Sequence, residues 1–238
     1  MSAHKLRAFF LDLLYPNRCD CCGERIRWDA LLCTECAAAL DALCVPNDAW
    51  GRTHPASDMT WDGCAAAYAY TGAARRGVLA LKDGHRGFLQ YAAAELADAV
   101  REMIPPAEIS CVTWVPVTKQ RRRTQGYAHA ELLGRALAEA LRCEPRGGLL
   151  TEQGGALRQH DLPAADRAIY ARLRFQRTDT DLSGQTVLLV DDILTTGSTA
   201  RKCTALLREM GAARVFVAAA ACRLQDKEEP NESADAPA

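Results

Sequence analysis

The sequence has little excess charge, few aromatic residues and no long apolar run. Its 29 lysine and arginine residues nearly balance its 30 aspartate and glutamate residues, which gives a formal net charge of -1. A chain so close to neutral has no overall field that would attract nucleic acid or a membrane surface. Aromatic residues make up 6% of the chain, which gives little support for a platform on which single-stranded bases stack. No apolar run reaches the roughly 20 residues of a membrane-spanning helix, so we expect no membrane segment.

We also expect no secretory leader at the start of the sequence. The apolar stretch 8–14 is short, contains Asp12 and runs directly into Tyr15 and Pro16. The eleven cysteines are concentrated in the N-terminal quarter and scattered singly elsewhere, unlike the regular spacing of a disulfide scaffold. Clustered cysteines in a reducing compartment more often bind metal. We therefore expect a cytoplasmic protein with a metal site.

Two Cys-x-x-Cys pairs are the candidate metal ligands: Cys19 with Cys22, and Cys33 with Cys36. Ten residues separate the pairs, so each pair can occupy a tight knuckle and both can present their thiolates to one ion. Structural Zn²⁺ prefers such a tetrahedron, and the closed site stabilises a module too small for its own core. A redox-active dithiol is the alternative. Cys21 could compete from a poorer register, and we expect Cys44 and His54 not to bind the metal.

The chain divides into an N-terminal module, a larger α/β region and a polar tail. Residues 1–50 hold an amphipathic helix over 1–17 and the cysteine module, and residues 51–63 have the composition of a linker. Residues 64–224 alternate strand and helix patterns, which predicts a parallel sheet with helices on both faces. Residues 225–238 are polar and acidic, which predicts a disordered tail. The predicted strands are 65–70, 110–117, 186–190 and 214–220, and the predicted helices are 88–103, 127–142 and 198–210.

The most informative stretch is 187–199, where an apolar run ends in two adjacent acids, Asp191 and Asp192. A loop rich in hydroxyl side chains follows: Thr195, Thr196, Gly197, Ser198 and Thr199. The backbone N–H groups and hydroxyls of such a loop suit a phosphate, and the N-terminus of the next helix adds a favourable dipole. Carboxylates suit sugar hydroxyls, so the implied ligand is a phosphorylated ribose. The alternative is an ordinary strand–turn–helix unit in which Ser198 or Thr199 caps the helix.

The order of residues in 187–199 resembles the motif that binds 5-phosphoribosyl 1-diphosphate (PRPP) in type I phosphoribosyltransferases. With the four cysteines ahead of it, the chain resembles the ComF family. That family joins an N-terminal zinc ribbon to a phosphoribosyltransferase-like domain and includes bacterial competence proteins needed for uptake of transforming DNA. Further matching stretches are Tyr70 with Gly72, Leu81-Lys82, Trp114 to Val117, and Gln159, Leu162 and Arg167.

The resemblance implies a phosphoribosyltransferase-like sheet preceded by a small zinc-ribbon module, and binding of PRPP together with Mg²⁺. It implies that Asp191 and Asp192 contact the ribose 2′- and 3′-hydroxyls and serve as the catalytic acids of any transfer. It also implies that the loop 195–199 holds the 5′-phosphate.

Basic residues outside the motif are candidates for contacts to the diphosphate or to nucleic-acid phosphates. They are Lys82, Lys119, Arg121, Arg122, Arg123 and Arg167. A solvated basic loop is the alternative for 119–123, and a surface lysine is the alternative for Lys82. The sequence departs from the family pattern nearby, because 125–128 stands where the family has Arg-Gly-Phe-Asn and Thr118 stands where it has a second proline. These departures bear on the diphosphate and acceptor sides of the reaction.

Two functions of different classes follow from these features. The first is a competence-type protein that binds PRPP or a related ribose phosphate with Mg²⁺, with a role in DNA uptake and with phosphoribosyl transfer left open. The second is a nucleic-acid or protein adaptor that works through the zinc module and keeps the pocket as a sensor or relic. A salvage enzyme for a nucleobase ranks below both, because it needs no zinc module. Expected partners are the ribose phosphate, weakly bound single-stranded DNA and a helicase-type competence protein. The sequence does not identify the acceptor of a transferred group, and it does not decide whether the protein forms a homodimer.

Overall fold

The structure is a computed structural model that describes residues 16–53, 60–118, 128–152 and 175–224. The helices in these ranges are α1 (Thr34–Asp41), α2 (Ala49–Thr53), α3 (Gly72–Lys82), α4 (Gly87–Met103), α5 (His129–Leu141) and α6 (Ser198–Glu209). The strands are β1 (Gly63–Ala69), β2 (Cys111–Trp114), β3 (Leu150–Glu152), β4 (Phe175–Arg177), β5 (Thr186–Leu194) and β6 (Arg214–Cys222). A single 3₁₀ turn, Pro106–Glu108, precedes β2. Within the described ranges, no helix is both apolar enough and long enough to span a bilayer.

The core is a parallel sheet in the strand order β1-β6-β5-β2. Segment 144–146 extends it beyond β2, because the Val112 N–H donates to the Glu144 carbonyl at 2.8 Å and the Arg146 N–H donates to the Val112 carbonyl at 2.8 Å. The strands β3 and β4 form a separate antiparallel pair. The inner strands are apolar on both faces, as a sheet covered on both sides requires, and residues Val187 to Val190 have no exposed surface. The predicted parallel α/β sheet is confirmed.

The direction of the chain connections places the helices on both faces. The connection from β2 through α5 leads outward to segment 144–146, whereas the connection from β5 through α6 leads the other way to β6. Because such crossovers are right-handed, opposite directions put α5 and α6 on opposite faces of the sheet. The contacts agree, since α5 packs on α4, β2 and β5, while α6 packs on β4, β5 and β6. The chain therefore switches direction between β2 and β5, where a crevice opens at the carboxyl ends of the strands.

Several sequence predictions of element bounds need correction. The motif strand is predicted to end at residue 190, but β5 continues through both acids to Leu194, because it stays paired with the small residues of β6 as far as Cys222. The strand predicted over 110–117 ends at Trp114, and Pro116 just beyond it has no N–H to offer a neighbouring strand. The predicted linker 51–63 contains the end of α2 and the buried Trp61. The helix predicted over 1–17, apart from its last two residues, and the tail 225–238 lie outside the described residues.

Candidate functional site

The two acids of the motif lie in the last half of β5, beside the crevice between β2 and β5. Each carboxylate accepts the backbone N–H of the residue after it: Asp191 Oδ1 from Asp192 at 2.8 Å, and Asp192 Oδ1 from Ile193 at 2.9 Å. The other oxygen of Asp192 lies 3.2 Å from the ammonium of Lys82 at the end of α3. The structure thus brings Lys82 beside the acids, a contact that was not predicted from the sequence, and its predicted contact to a diphosphate stays a prediction.

The Asp191 carboxyl is 9% exposed, and its surroundings make ionisation difficult. Burial raises its pKa well above the usual range, and the negative charge of Asp192 raises it further. The backbone N–H of Asp192 and the cation of Lys82 act in the opposite direction without outweighing the first two causes. Hydroxyl groups that donate hydrogen bonds to this carboxylate would favour its charged form. The site is therefore suited to a ligand rich in hydroxyls or to a cation.

The loop after β5 turns sharply at Gly197, whose φ is +70° and which immediately precedes α6. Only glycine adopts this left-handed conformation at low cost, so the turn explains the glycine in the motif. Gly197 occupies the helix-capping position, so the expectation that Ser198 or Thr199 would cap the helix in an ordinary strand–turn–helix unit is wrong in that detail. The Ser198 N–H lies 3.4 Å from the Thr196 hydroxyl. The loop lines a cup of about 30 Å³ at the positive end of the α6 dipole, where an anion is favoured.

A larger cavity of about 180 Å³ shares Asp191 and Thr199 with this cup. Its walls come from three parts of the fold: Asp192 and Ile193 on β5, segment 115–117 after β2 with His129 and Ala130 at the start of α5, and the β3–β4 pair. The pair contributes Glu152 and Phe175. Asp191 lines both the small cavity, which suits an anion, and the larger one, whereas Asp192 lines the larger cavity.

Sequence reasoning missed three of these wall residues. The sequence favours an ordinary surface or core role for His129, because no partner stands near it in the chain, yet His129 is buried in the cavity wall. Glu152 and Phe175 lie on three-residue strands that pair with each other across more than twenty residues. Strands so short carry no usable alternation of apolar and polar residues, so no local signal indicated them.

Two tryptophans support the loop 195–199 from behind, and neither was predicted to do so. The Trp50 indole N–H donates to the Thr195 carbonyl at 2.8 Å, and the Trp50 and Trp61 ring centres lie 5.3 Å apart. A Cβ on Gly197 would lie 2.9 Å from the Trp50 ring and 3.0 Å from the Trp61 ring. Glycine is thus required here both by the turn and by the packing. The available signal in the sequence was the large aromatic side chain of Trp61 within the predicted linker, together with Trp50 directly before that linker.

The four predicted metal ligands converge on one point: Cys19, Cys22, Cys33 and Cys36 have sulfur atoms that all lie within 4.8 Å of one another. The Cys22 and Cys33 sulfurs are 3.7 Å apart, close to the edge of about 3.8 Å of a tetrahedron with Zn–S bonds of about 2.3 Å. Burial opposes ionisation of Cys19, but hydrogen bonds from the backbone at Cys33, Cys21 and Cys22 lower its pKa to about 7. The pKa of Cys36 is raised by burial and by the neighbouring sulfurs, a repulsion that a bound cation would offset. The residues therefore fit Zn²⁺, and Cys21 and Cys44 are not members of the cluster.

Comparison with known proteins agrees with this architecture. Residues 151–236 match the family described as phosphoribosyl transferase domain. DNA utilization protein YhgH of Salmonella typhi is 28% identical over 212 residues, which cover 87% of this chain and 91% of that protein. The same-named protein of Escherichia coli O157:H7 is 32% identical over 103 residues, and this match spans less than half of either chain, 43% and 45%.

Over most of its length the chain is similar to proteins named DNA utilization protein YhgH, and residues 151–236 match the phosphoribosyl transferase domain.

Further matches are to an enzyme and to a solved structure. Ribose-phosphate pyrophosphokinase of Pyrococcus abyssi is 43% identical over 54 residues, which cover 23% of this chain and 19% of that enzyme. Among solved structures, purine phosphoribosyltransferase from Pyrococcus horikoshii overlaps 57% of this chain and 73% of its own, with a TM-score of 0.37 and 18% identity. The assignment of the fold therefore stands on the strand order and the crossovers described above.

The other basic residues that the sequence offered as phosphate contacts are not in the described part of the chain. Lys119, Arg121, Arg122, Arg123 and Arg167 lie outside it, as do Gln159 and His54. The described site thus consists of Lys82, the acids, the loop and the cavity walls, and the assignment of the other basic residues to a diphosphate stays a prediction.

Proposed function

We propose that this chain binds PRPP, or a related ribose 5-phosphate ligand, with Mg²⁺ in the crevice between β2 and β5, and that it acts in the uptake or use of DNA. One observation carries the proposal. Two adjacent carboxylates, one of them almost fully buried, lie directly beside a glycine-turned loop at the N-terminus of a helix, at the point where the chain direction switches. In open α/β sheets, ligands bind at such switch points.

The parts of the site have distinct roles in this proposal. Asp191 and Asp192 accept hydrogen bonds from the ribose 2′- and 3′-hydroxyls, as charged acceptors that hold the sugar strongly. The backbone N–H groups of loop 195–199 and the α6 dipole hold the 5′-phosphate. Lys82, with Lys119, Arg121, Arg122, Arg123 and Arg167, is the candidate group for the diphosphate.

Carboxylate oxygens are suitable ligands for Mg²⁺, which in proteins is usually held by one or two carboxylates together with the phosphates of the substrate. Asp191 and Asp192 are adjacent carboxylates that line the crevice, and the carboxylate of Glu152 lines the same cavity. When bound, the ion neutralises charge on the diphosphate.

Phosphoribosyl transfer is the reaction that this arrangement would support. The bond from ribose C1 to the diphosphate oxygen breaks, the diphosphate leaves with the electron pair, and an acceptor nucleophile forms the new bond to C1. The acids and the loop contribute by fixing the sugar in place, and the basic side chains contribute by stabilising the leaving group. His129, Glu152 and Phe175 line the larger cavity but not the small one formed by the loop, which makes them candidates for the acceptor side.

The DNA part of the proposal is supported by the relatives, which carry the name DNA utilization protein. Exposed arginines on the cysteine module, Arg18, Arg25 and Arg27, are possible contacts to phosphates, alongside the predicted contacts at 121–123. We propose that the protein works in the cytoplasm with a helicase-type partner. The same arginines favour the second candidate function, an adaptor that binds DNA or protein through the zinc module without turnover.

Calorimetry separates the two functions. Titration of the protein with PRPP, with and without Mg²⁺, should give saturable binding that depends on the ion. A scan for diphosphate release in the presence of candidate acceptors should then identify transfer. Binding without release would favour the adaptor with a sensing pocket, and absence of binding would refute the ribose-phosphate site.

A further inference from the structure

The first cysteine knuckle, residues 19–22, is docked on the corner where α3 ends and α4 begins. The guanidinium of Arg76 on α3 donates to the Cys21 carbonyl at 2.6 Å. On the other side of the corner, a Cβ on Gly87 would lie 2.4 Å from the Leu31 carbonyl oxygen. The glycine at the start of α4 thus allows the chain of the cysteine module to approach closely. The module is therefore packed against both helices that meet at this corner.

Asp20, between the first two cysteines, acts as the N-terminal cap of α4. Its side chain is 6% exposed, and its Oδ2 accepts the backbone N–H of Phe88 at 2.8 Å. Its Oδ1 lies 3.5 Å from His85 Nδ1, on the loop between the two helices. The helix has no acidic residue in its first turn and no capping side chain from its own neighbouring residues. A carboxylate near the positive end of a helix dipole is stabilising, so the cysteine module supplies what α4 lacks.

The same corner carries the cation of the candidate ribose-phosphate site. Lys82 is the last residue of α3, three residues before His85, and its ammonium lies 3.2 Å from Asp192 Oδ2. Lys82 thus lies directly before the turn into α4. Gly84 in that turn has a φ of +99°, a left-handed conformation that glycine adopts at low cost. A shift of the corner would therefore move the backbone from which the Lys82 ammonium extends.

We infer that Asp20 is a positioning residue that sets Lys82 against Asp192 through the corner 82–88, so that the cysteine module supports the site in the crevice. Asp20 touches neither Lys82 nor Asp192, and it acts by capping α4 and holding His85. The consequence for ligand binding rests on the proposed function, whereas the structural coupling does not. Loss of the metal, which would release the knuckle, should have the same local effect as loss of the Asp20 carboxylate.

Hydrogen exchange of the ligand-free protein tests the coupling itself. Asp20→Ala should raise the exchange rate of amides in 83–90 by about tenfold or more, leave β5 and β6 unchanged, and keep the zinc content of the wild type. Zinc removal with a chelator should loosen the same segment. Asp29→Ala, which removes an exposed acid of the same module that pairs with Arg27, is the matched control and should leave the corner unchanged. Unchanged exchange in 83–90 for Asp20→Ala would overturn the inference.

A double-mutant cycle tests the link to the site. Asp20→Ala should weaken PRPP binding about fivefold to tenfold in the wild-type background. In the Lys82→Met background the same substitution should weaken binding less than twofold, because both substitutions act through the Lys82 ammonium. Asp20→Asn can still accept a hydrogen bond from the Phe88 N–H, so this variant should keep most of the wild-type affinity. It can also replace the alanine variant in the measurement if the alanine variant is unstable. Additive losses would refute the link to Lys82. Failure of the wild type to bind PRPP would refute the proposed function, while the exchange measurement would still decide the coupling.

Discussion

Among individual residues, Asp191 shows most directly how function and stability conflict in this fold. Its carboxyl is buried beside a second negative charge, and its pKa is raised accordingly. A folded-state pKa above the unfolded value means that the folded protein binds the proton more tightly. The contribution of this group to stability is therefore present at low pH and is lost as the pH rises through the raised pKa.

Asp191→Asn should stabilise the ligand-free protein above that pKa, because it removes a charge that burial disfavours. We expect a rise in the melting temperature of about 2–4 °C, the change that about 1 kcal/mol produces in a domain of this size. The same variant should lose most PRPP binding. Thermal unfolding and calorimetry at several pH values measure both effects. A variant that melts lower than the wild type at high pH would contradict the electrostatic account.

In the wild type, PRPP affinity should fall as the pH falls through the raised pKa of Asp191, because the protonated carboxyl is a poorer acceptor for ribose hydroxyls. The loss should begin at a higher pH than it would for an ordinary aspartate. Calorimetry across the acidic range checks this. Affinity that stays constant until the pH reaches the usual aspartate range would contradict it.

Gly197→Ala should destabilise the protein for two separable reasons. The φ of +70° costs about 1 kcal/mol for alanine, and the new methyl group would press on Trp50 and Trp61, which adds about 1–3 kcal/mol. Gly184→Ala is the matched control, because Gly184 has a φ of +73° and nothing lies within 4 Å of the place that its methyl group would take. Denaturant unfolding should show a larger loss at 197 than at 184. Equal losses would mean that the tryptophans do not constrain the loop.

Secondary-structure elements show where sequence reasoning succeeds. Most long strands and helices of the sheet region were predicted within a few residues, because their apolar runs and helical periods extend over many positions. Helix α3, Gly72–Lys82, was not predicted. The bend at Gly197 and the approach of the four cysteines also follow from local spacing. The β3–β4 pair and the contact of Trp50 with Thr195 could not be predicted, because each joins segments far apart in the chain. The predicted end of β5 was wrong because pairing with β6 overrides the local preference of two acids to leave a strand.

The contribution of the short helix α2 to the loop 195–199 can be tested by substitution of Trp50. Trp50→Phe keeps a ring against Gly197 but deletes the N–H that donates to the Thr195 carbonyl. We expect PRPP affinity to fall by about 0.5–1.5 kcal/mol, or roughly twofold to tenfold, because the loop loses one of its restraints. Trp28→Phe, on the cysteine module, is the control and should leave the affinity unchanged. If the two variants behave alike, Trp50 does not organise the loop.

For the molecule as a whole, the cysteine cluster should hold one Zn²⁺ per chain. Cys33→Ser should reduce the bound zinc to well below one equivalent and unfold the N-terminal module, while the sheet keeps its structure. Metal analysis and circular dichroism measure the two effects. Zinc should also dissociate as the pH falls, because the thiolates are then protonated. Full zinc content in the serine variant would show that the four sulfurs are not the ligands.

The strand order has a consequence for how this protein can be divided. The segment that matches the phosphoribosyl transferase family, residues 151–236, contains β5 and β6 but neither β2 nor β1, which flank them in the sheet. Expressed alone, it would expose two long apolar strand edges and should aggregate instead of folding. The segment that matches the family description is thus smaller than the unit that we expect to fold, and the missing strands, with Trp50 behind the loop, all come from the first half of the chain.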